Sequence, residues 1–197
     1  RREHKAIGPA RTSEIEQAQG ALAAARKSLA AARAEAARIE TEAELRGAIA
    51  QAESMLGPTQ VLVYNVAASE TGRPSGLSGD QLVADFRANV VGALAAAQAV
   101  TPGMRDMRRG TILFTGGGFA YEPAHNYASL SLGKAALRNL TYSLAQELGV
   151  YGIHVATVTV YGFIQSGTHF DPKRIAQTFL DLHHQPKGHF EIEKVFK

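Results

Sequence analysis

Beyond Gly57-Pro58 the chain alternates between short runs of β-branched and aromatic residues and long stretches of helical character, and few architectures accept that alternation. The runs are Val61-Leu62-Val63-Tyr64, Thr111-Ile112-Leu113-Phe114 and His154 to Val160. Each is apolar on both faces, as a strand must be when helices cover both sides of its sheet. Between them the sequence predicts one helix from about Gly79 to Met107, bent at Pro102, and another from about Ser129 to Leu148 that stops at Gly149. Asp171-Pro172 is a good N-cap and first-turn pair and opens a last helix to about His184. The tail Pro186 to Lys197 holds one alternating stretch, Phe190 to Phe196, that suits an edge strand. Strands interleaved with helices of this length give an α/β, doubly wound parallel sheet.

The first 56 residues differ sharply, because 17 of them are alanine and most of the rest are Glu, Arg, Gln and Leu. This segment, 1–56, reads as helical throughout and stands apart from the core at 57–197. Ser13 with Glu16 and Thr41 with Glu44 have capping-box spacing, which predicts helices over about 13–38 and 41–56. Ile15, Leu22, Leu29 and Ala36 recur every seven residues, and Ala18, Ala25, Ala32 and Ile39 form a second such row. The seam is built mostly of alanine and interrupted by Gly20, which favours a helix packed along its own domain over a coiled-coil dimer.

The formal net charge of +3 is concentrated in this segment: residues 1–38 carry eight Lys/Arg against four Asp/Glu, and residues 39–197 carry thirteen against fourteen. No aromatics interleave with the basic residues, so the excess reads as a solvated helix face, and nucleic acid is not the expected partner. With no cysteine in the chain there is no disulfide scaffold, thiolate metal site or cysteine nucleophile, and a reducing cytoplasm is the expected compartment. No apolar run reaches the ~20 residues of a spanning helix, and the basic start at Arg1, Arg2 and Lys5 is followed by no apolar stretch of a signal peptide.

Val61 to Ala68, reading VLVYNVAA, ends a strand in an asparagine and small residues. Asp85 to Gly92, Gly110 to Phe114, Gly133-Lys134-Ala135-Ala136-Leu137 and Gly149 to Val160 follow in order. In these five stretches, over about residues 57–170, the chain resembles the short-chain dehydrogenase/reductase family. The resemblance implies a Rossmann-like sheet, NAD(P) as cofactor, and interconversion of a small carbonyl compound and its alcohol. It further implies that Lys134 holds the nicotinamide ribose, that Asn89 kinks its helix and positions a relay water, and that Asn65, Ala67, Gly162, Ile164 and Ser166 line the cofactor cleft. Association into a homo-oligomer through the helices about 79–107 and 129–148 is implied as well.

Two departures qualify the activity. The family's catalytic tyrosine stands one helical turn before the lysine, where its proton affinity is tuned by the ammonium, and that position here is Leu130; the family's serine falls on Gly117. Tyr127 is the fallback acid, although seven residues of helix place it two turns, roughly 10 Å, from Lys134. The other departure is the lack of any glycine-rich strand-turn-helix before residue 60, where only Gly8, Gly20, Gly47 and Gly57 occur. The sheet is therefore expected to be incomplete at its amino-terminal side, with NAD(P) bound weakly or not at all. A non-catalytic pseudoenzyme, acting as a scaffold or interaction subunit, is the competing reading. Thr115 to Gly118 reads as a flexible lip of the substrate site. His169, His183, His184 and His189 lack the spacing of a helical metal site, and no metal is expected.

Overall fold

The computed structural model describes residues 41–69 and 71–197; the helix expected over 13–38 lies outside them. The described elements are α1 (Glu42–Leu56), β1 (Val61–Tyr64), α2 (Gly79–Phe86), a π turn (Arg87–Val91), α3 (Gly92–Met107), β2 (Gly110–Gly117), α4 (Ala128–Leu148), β3 (Ile153–Val160), α5 (Pro172–His183) and β4 (Glu193–Phe196). The four strands lie side by side in chain order and every pair is parallel. This is the doubly wound, Rossmann-like sheet that the alternation demands.

Burial follows the period of two. Ile112, Phe114, Ile153 and Val155 face α3 and α4, where Ala93, Ala97, Val100, Met104, Leu137 and Leu144 complete one core. Leu113, Ala156, Val158 and Val160 face the other way and meet Ile175 and Leu182 of α5. All eight residues of β3 are buried. In β1 the sequence reading is corrected: although the run is apolar throughout, only Leu62 and Tyr64 pack inward, while Val61 and Val63 remain 40% and 49% exposed. The reason is coverage, since on that face α5 leaves an apolar groove of about 560 Å³ between itself and β1.

The helix expected over 79–107 is divided at 87–91 by a π turn, where the kink expected at Asn89 falls. The amide of Gly92 reaches back five residues to the Arg87 carbonyl oxygen, and the Tyr64 hydroxyl donates to the Ala88 carbonyl oxygen at 2.6 Å. Glycine at 92 leaves room for this contact, because a Cβ there would lie 2.3 Å from the tyrosine oxygen. Pro102 is exposed and α3 continues through it to Met107, anchored on either side by the buried Val100 and Met104. Ser78 caps α2 by accepting from the Gln81 amide, and Asp171 caps α5 by accepting from the Lys173 amide.

Candidate active site

Thr115, Gly116 and Gly117 are strand and not a flexible lip: they pair with Val158, Thr159 and Val160. Gly116 makes this pairing possible, because a Cβ would lie 2.6 and 2.9 Å from the hydroxyl oxygens of Thr157 and Thr159. The end of β2, the end of β3 and the first turns of α4 surround a cleft of about 570 Å³ at the carboxyl edge of the sheet. That edge is where open α/β sheets bind their ligands.

Lys134 forms the polar floor of this cleft. It sits in the second turn of α4, buried, and its Nζ donates to the Thr115 carbonyl oxygen at 2.6 Å. Among the described residues no carboxylate pairs with it, and burial pulls its pKa down from 10.5 to about 8. Beside it, Thr115 is only 8% exposed and its Oγ1 has no hydrogen-bond partner. Leu130, one turn earlier on α4, lines the same cleft. A Cβ on Gly117 would lie 3.5 to 3.7 Å from the Cγ, Cδ and Cε of Lys134, ordinary contact distances, so space does not dictate glycine there.

The other expected residues divide. Ala67, Gly162 and Ile164 line the cleft with Lys134. A Cβ on Gly162 would lie 2.3 to 2.6 Å from the ring of Phe170, so a larger residue there would displace that ring. Asn65 lines the neighbouring groove between β1 and α5. Ser166 is exposed in the turn before Gly167 and does not line the cleft. Asn89 is fully buried in the π turn. Its Nδ2 donates to the Ala68 carbonyl oxygen at 2.7 Å and its Oδ1 accepts from the Ala68 amide at 2.8 Å. The side chain thereby fixes the loop after β1, and Gly133 lets α4 approach it: a Cβ there would be 3.0 Å from Nδ2.

Tyr127 stands at the start of α4 and does not line the cleft. Its ring stacks on Phe119 at 5.5 Å, and Phe119 is the residue that forms the wall. The strand-like bridge between Tyr127 and Gly72 holds it there.

A second cluster braces the wall. The Glu193 carboxylate accepts from the Tyr121 hydroxyl at 2.7 Å, Arg138 Nε at 2.9 Å, the Tyr142 hydroxyl at 3.0 Å and the Thr159 hydroxyl at 2.5 Å. Burial raises its proton affinity, but the hydrogen bonds outweigh that and hold the carboxyl below its ordinary range. Tyr121 lies against Tyr161, and Tyr161 and Glu122 line the cleft. The sequence offered no sign of this cluster, whose members are 34 to 72 positions from Glu193. Thr115 was named only as part of a loop; its place on the strand, two residues before Gly117, is the signal that puts its side chain beside the cleft. Among the histidines, His183 Nδ1 meets the Thr111 hydroxyl at 2.9 Å and His169 Nε2 meets the Lys197 carbonyl oxygen at 2.5 Å. No described helix is long and apolar enough to cross a membrane.

Comparison with known proteins bears on these features. The chain is 37% identical over 103 residues to a very-long-chain 3-oxoacyl-CoA reductase of Aspergillus terreus, covering 51% of this chain and 29% of that protein. It is 29% identical over 112 residues to a 3-dehydrosphinganine reductase of Danio rerio, covering 57% and 34%. The chain thus spans about a third of the length of these curated relatives. Among solved structures, a metagenomic short-chain oxidoreductase in complex with NADP superimposes with a TM-score of 0.72 at 21% identity, over 79% of this chain and 70% of that one. A family model described as short chain dehydrogenase matches residues 7–171, reaching well ahead of the motifs that begin near Gly57. With the parallel sheet, the cleft at its carboxyl edge and the buried lysine on α4, this match makes the chain a member of the short-chain dehydrogenase family.

Proposed function

We propose that the chain is an NAD(P)(H)-dependent oxidoreductase of small carbonyl and alcohol substrates whose turnover is slow. The observation that supports it best is Lys134, held by Thr115 on the floor of a cleft at the carboxyl edge of the sheet. The residues present fit the nicotinamide-ribose end of the cofactor: a buried cation, an unpartnered Thr115 hydroxyl, and a wall of Ala67, Gly162 and Ile164. When bound, the nicotinamide supplies or takes up a hydride. Lys134 would hold the ribose hydroxyls, Asn89 would hold the Ala68 loop in place, and Phe119 and Leu130 would exclude water. A polar tip is lacking at Leu130 and Gly117, and Tyr127 lies behind Phe119. Loss of a positioned acid commonly removes about 10²–10⁴ in rate, so reduction of simple ketones is expected near background. The check is a steady-state assay with NADH and NADPH: a rate well above background that falls on Tyr127→Phe would show that the displaced tyrosine is the acid.

The position of Leu130 in the cleft also supports a second reading, a pseudoenzyme of this fold that acts as a scaffold. Calorimetric titration separates the two: micromolar binding of NAD(P)H supports the oxidoreductase, and no binding by a folded chain supports the scaffold. Under either reading we infer a homo-oligomer, supported by Val83, Phe86 and Leu132, which are 55%, 36% and 51% exposed and share an apolar groove on α2 and α4. A monomer by light scattering would refute it. The lack of cysteine supports a cytoplasmic location.

A further inference from the structure

We propose that Nζ of Lys134 condenses with small aldehydes and ketones that enter the cleft, so that the chain captures carbonyl compounds covalently as imines. Three features of the site point to this chemistry. The amine is buried, and among the described residues it has no carboxylate partner and makes one hydrogen bond, to a backbone carbonyl oxygen. Space for a small molecule is at hand: the cleft of about 570 Å³ is lined by Lys134 together with Gly117, which has no side chain, and Leu130, which brings no polar group. Groups able to exchange protons line the same cleft: Thr115, whose Oγ1 is buried without a partner among the described residues, and Glu122.

Desolvation is what makes a lysine nucleophilic. With a pKa of about 8, Lys134 holds a free-base fraction at neutral pH roughly two orders of magnitude above that of an exposed lysine. In the reaction the ammonium gives up a proton and the Nζ lone pair attacks the carbonyl carbon. The C–N bond forms as the π pair moves to oxygen, and the resulting carbinolamine is protonated on oxygen and loses water. The product is a protonated iminium, so one ammonium and one carbonyl compound give one iminium and one water. No oxidant, reductant or nicotinamide takes part, and the inference stands apart from the redox reading of the same cleft.

The test incubates the whole chain with butanal and cyanoborohydride, which reduces the iminium to a stable secondary amine, followed by peptide mass mapping. Lys134 is expected to carry the dominant label, a mass gain equal to the aldehyde less its oxygen, at least roughly tenfold above exposed lysines such as Lys173 and Lys194. Lys134→Arg, which keeps a cation on the Thr115 carbonyl, is expected to lose that label. Label spread evenly over the exposed lysines, or exposed lysines labelled while Lys134 is not, overturns the proposal. The mapping on the unsubstituted chain is decisive even if the variant does not fold. Since the readout uses no cofactor, its failure leaves the oxidoreductase reading intact, and absence of NAD(P)H binding leaves the imine intact.

Discussion

On one face of the sheet α3 and α4 bring Ala93, Ala97 and Leu137 against Ile112, Phe114 and Val155, and every one of these residues is at most 2% exposed. On the other face a single helix, α5, covers Leu113, Ala156 and Val158 and leaves Val61 and Val63 beside an open groove. The strands are equally apolar on both sides, so hydrophobicity of the strand alone does not set burial. What differs is the helix cover: two helices, with Ala93 and Ala97 buried on α3, close one face, whereas on the other a groove lined by Phe179 and Leu180 of α5 remains beside Val61 and Val63.

The largest effect expected from this contrast is on the closed face. Phe114→Ala should cost about 3–5 kcal/mol in a denaturant melt, because the side chain is wholly buried and its neighbours are held by helix geometry. A loss below about 1 kcal/mol would show that this face is looser than its packing implies.

Next in size is the lysine at the end of the same layer. Holding the Lys134 pKa near 8 instead of 10.5 penalises the folded state at neutral pH, by up to about 3 kcal/mol at 1.36 kcal/mol per pH unit. The folded chain binds fewer protons than the unfolded chain between pH 8 and 10.5, so the penalty is full below pH 8 and vanishes as pH rises through that window. Lys134→Met is therefore expected to stabilise the fold below pH 8, with the gain fading towards pH 10.5. A gain independent of pH would assign it to packing instead.

Smaller again is the cost at the π turn. Gly92→Ala places a methyl group on the Tyr64 hydroxyl and should cost about 1–3 kcal/mol. In a Tyr64→Phe background most of that penalty should disappear, and a penalty unchanged there would mean that the turn itself, not the hydroxyl, rejects the side chain. The smallest effect is expected on the open face, where Val63→Thr should change stability by no more than about 0.5 kcal/mol. A larger loss would mean that another surface covers β1 in solution.

Much of this layout was legible in the sequence, for identifiable reasons. The runs at Val61, Thr111 and His154 marked the parallel strands, although the first is buried on one face only, and Asp171-Pro172 fixed the start of α5 within a residue. Lys134 was located by its neighbours in a motif. What escaped depends on contacts between distant residues. The kink expected at Asn89 falls within the π turn, but the contact of Tyr64 with Gly92 that accompanies it joins distant residues and is not visible in the sequence. Gly116 and Gly117 looked like a loop because glycine weakens strands, but here the missing side chain of Gly116 makes way for those of Thr157 and Thr159 on β3. The unpartnered hydroxyl of Thr115 is visible only once both strands are in place.

Glu193 gives the chain an order of assembly. Its carboxylate joins Tyr121 at the cleft wall, Arg138 and Tyr142 on α4, and Thr159 on β3, and the first of these is 72 positions away. Contacts of such separation are slow to form, since the loop between them must close before any of its bonds contributes. During synthesis the sheet and its two large helices can pack while the last strand is still emerging. The bracing of Tyr121 against the cleft wall therefore waits until residue 193 has been made, and the cleft cannot reach its described shape before then.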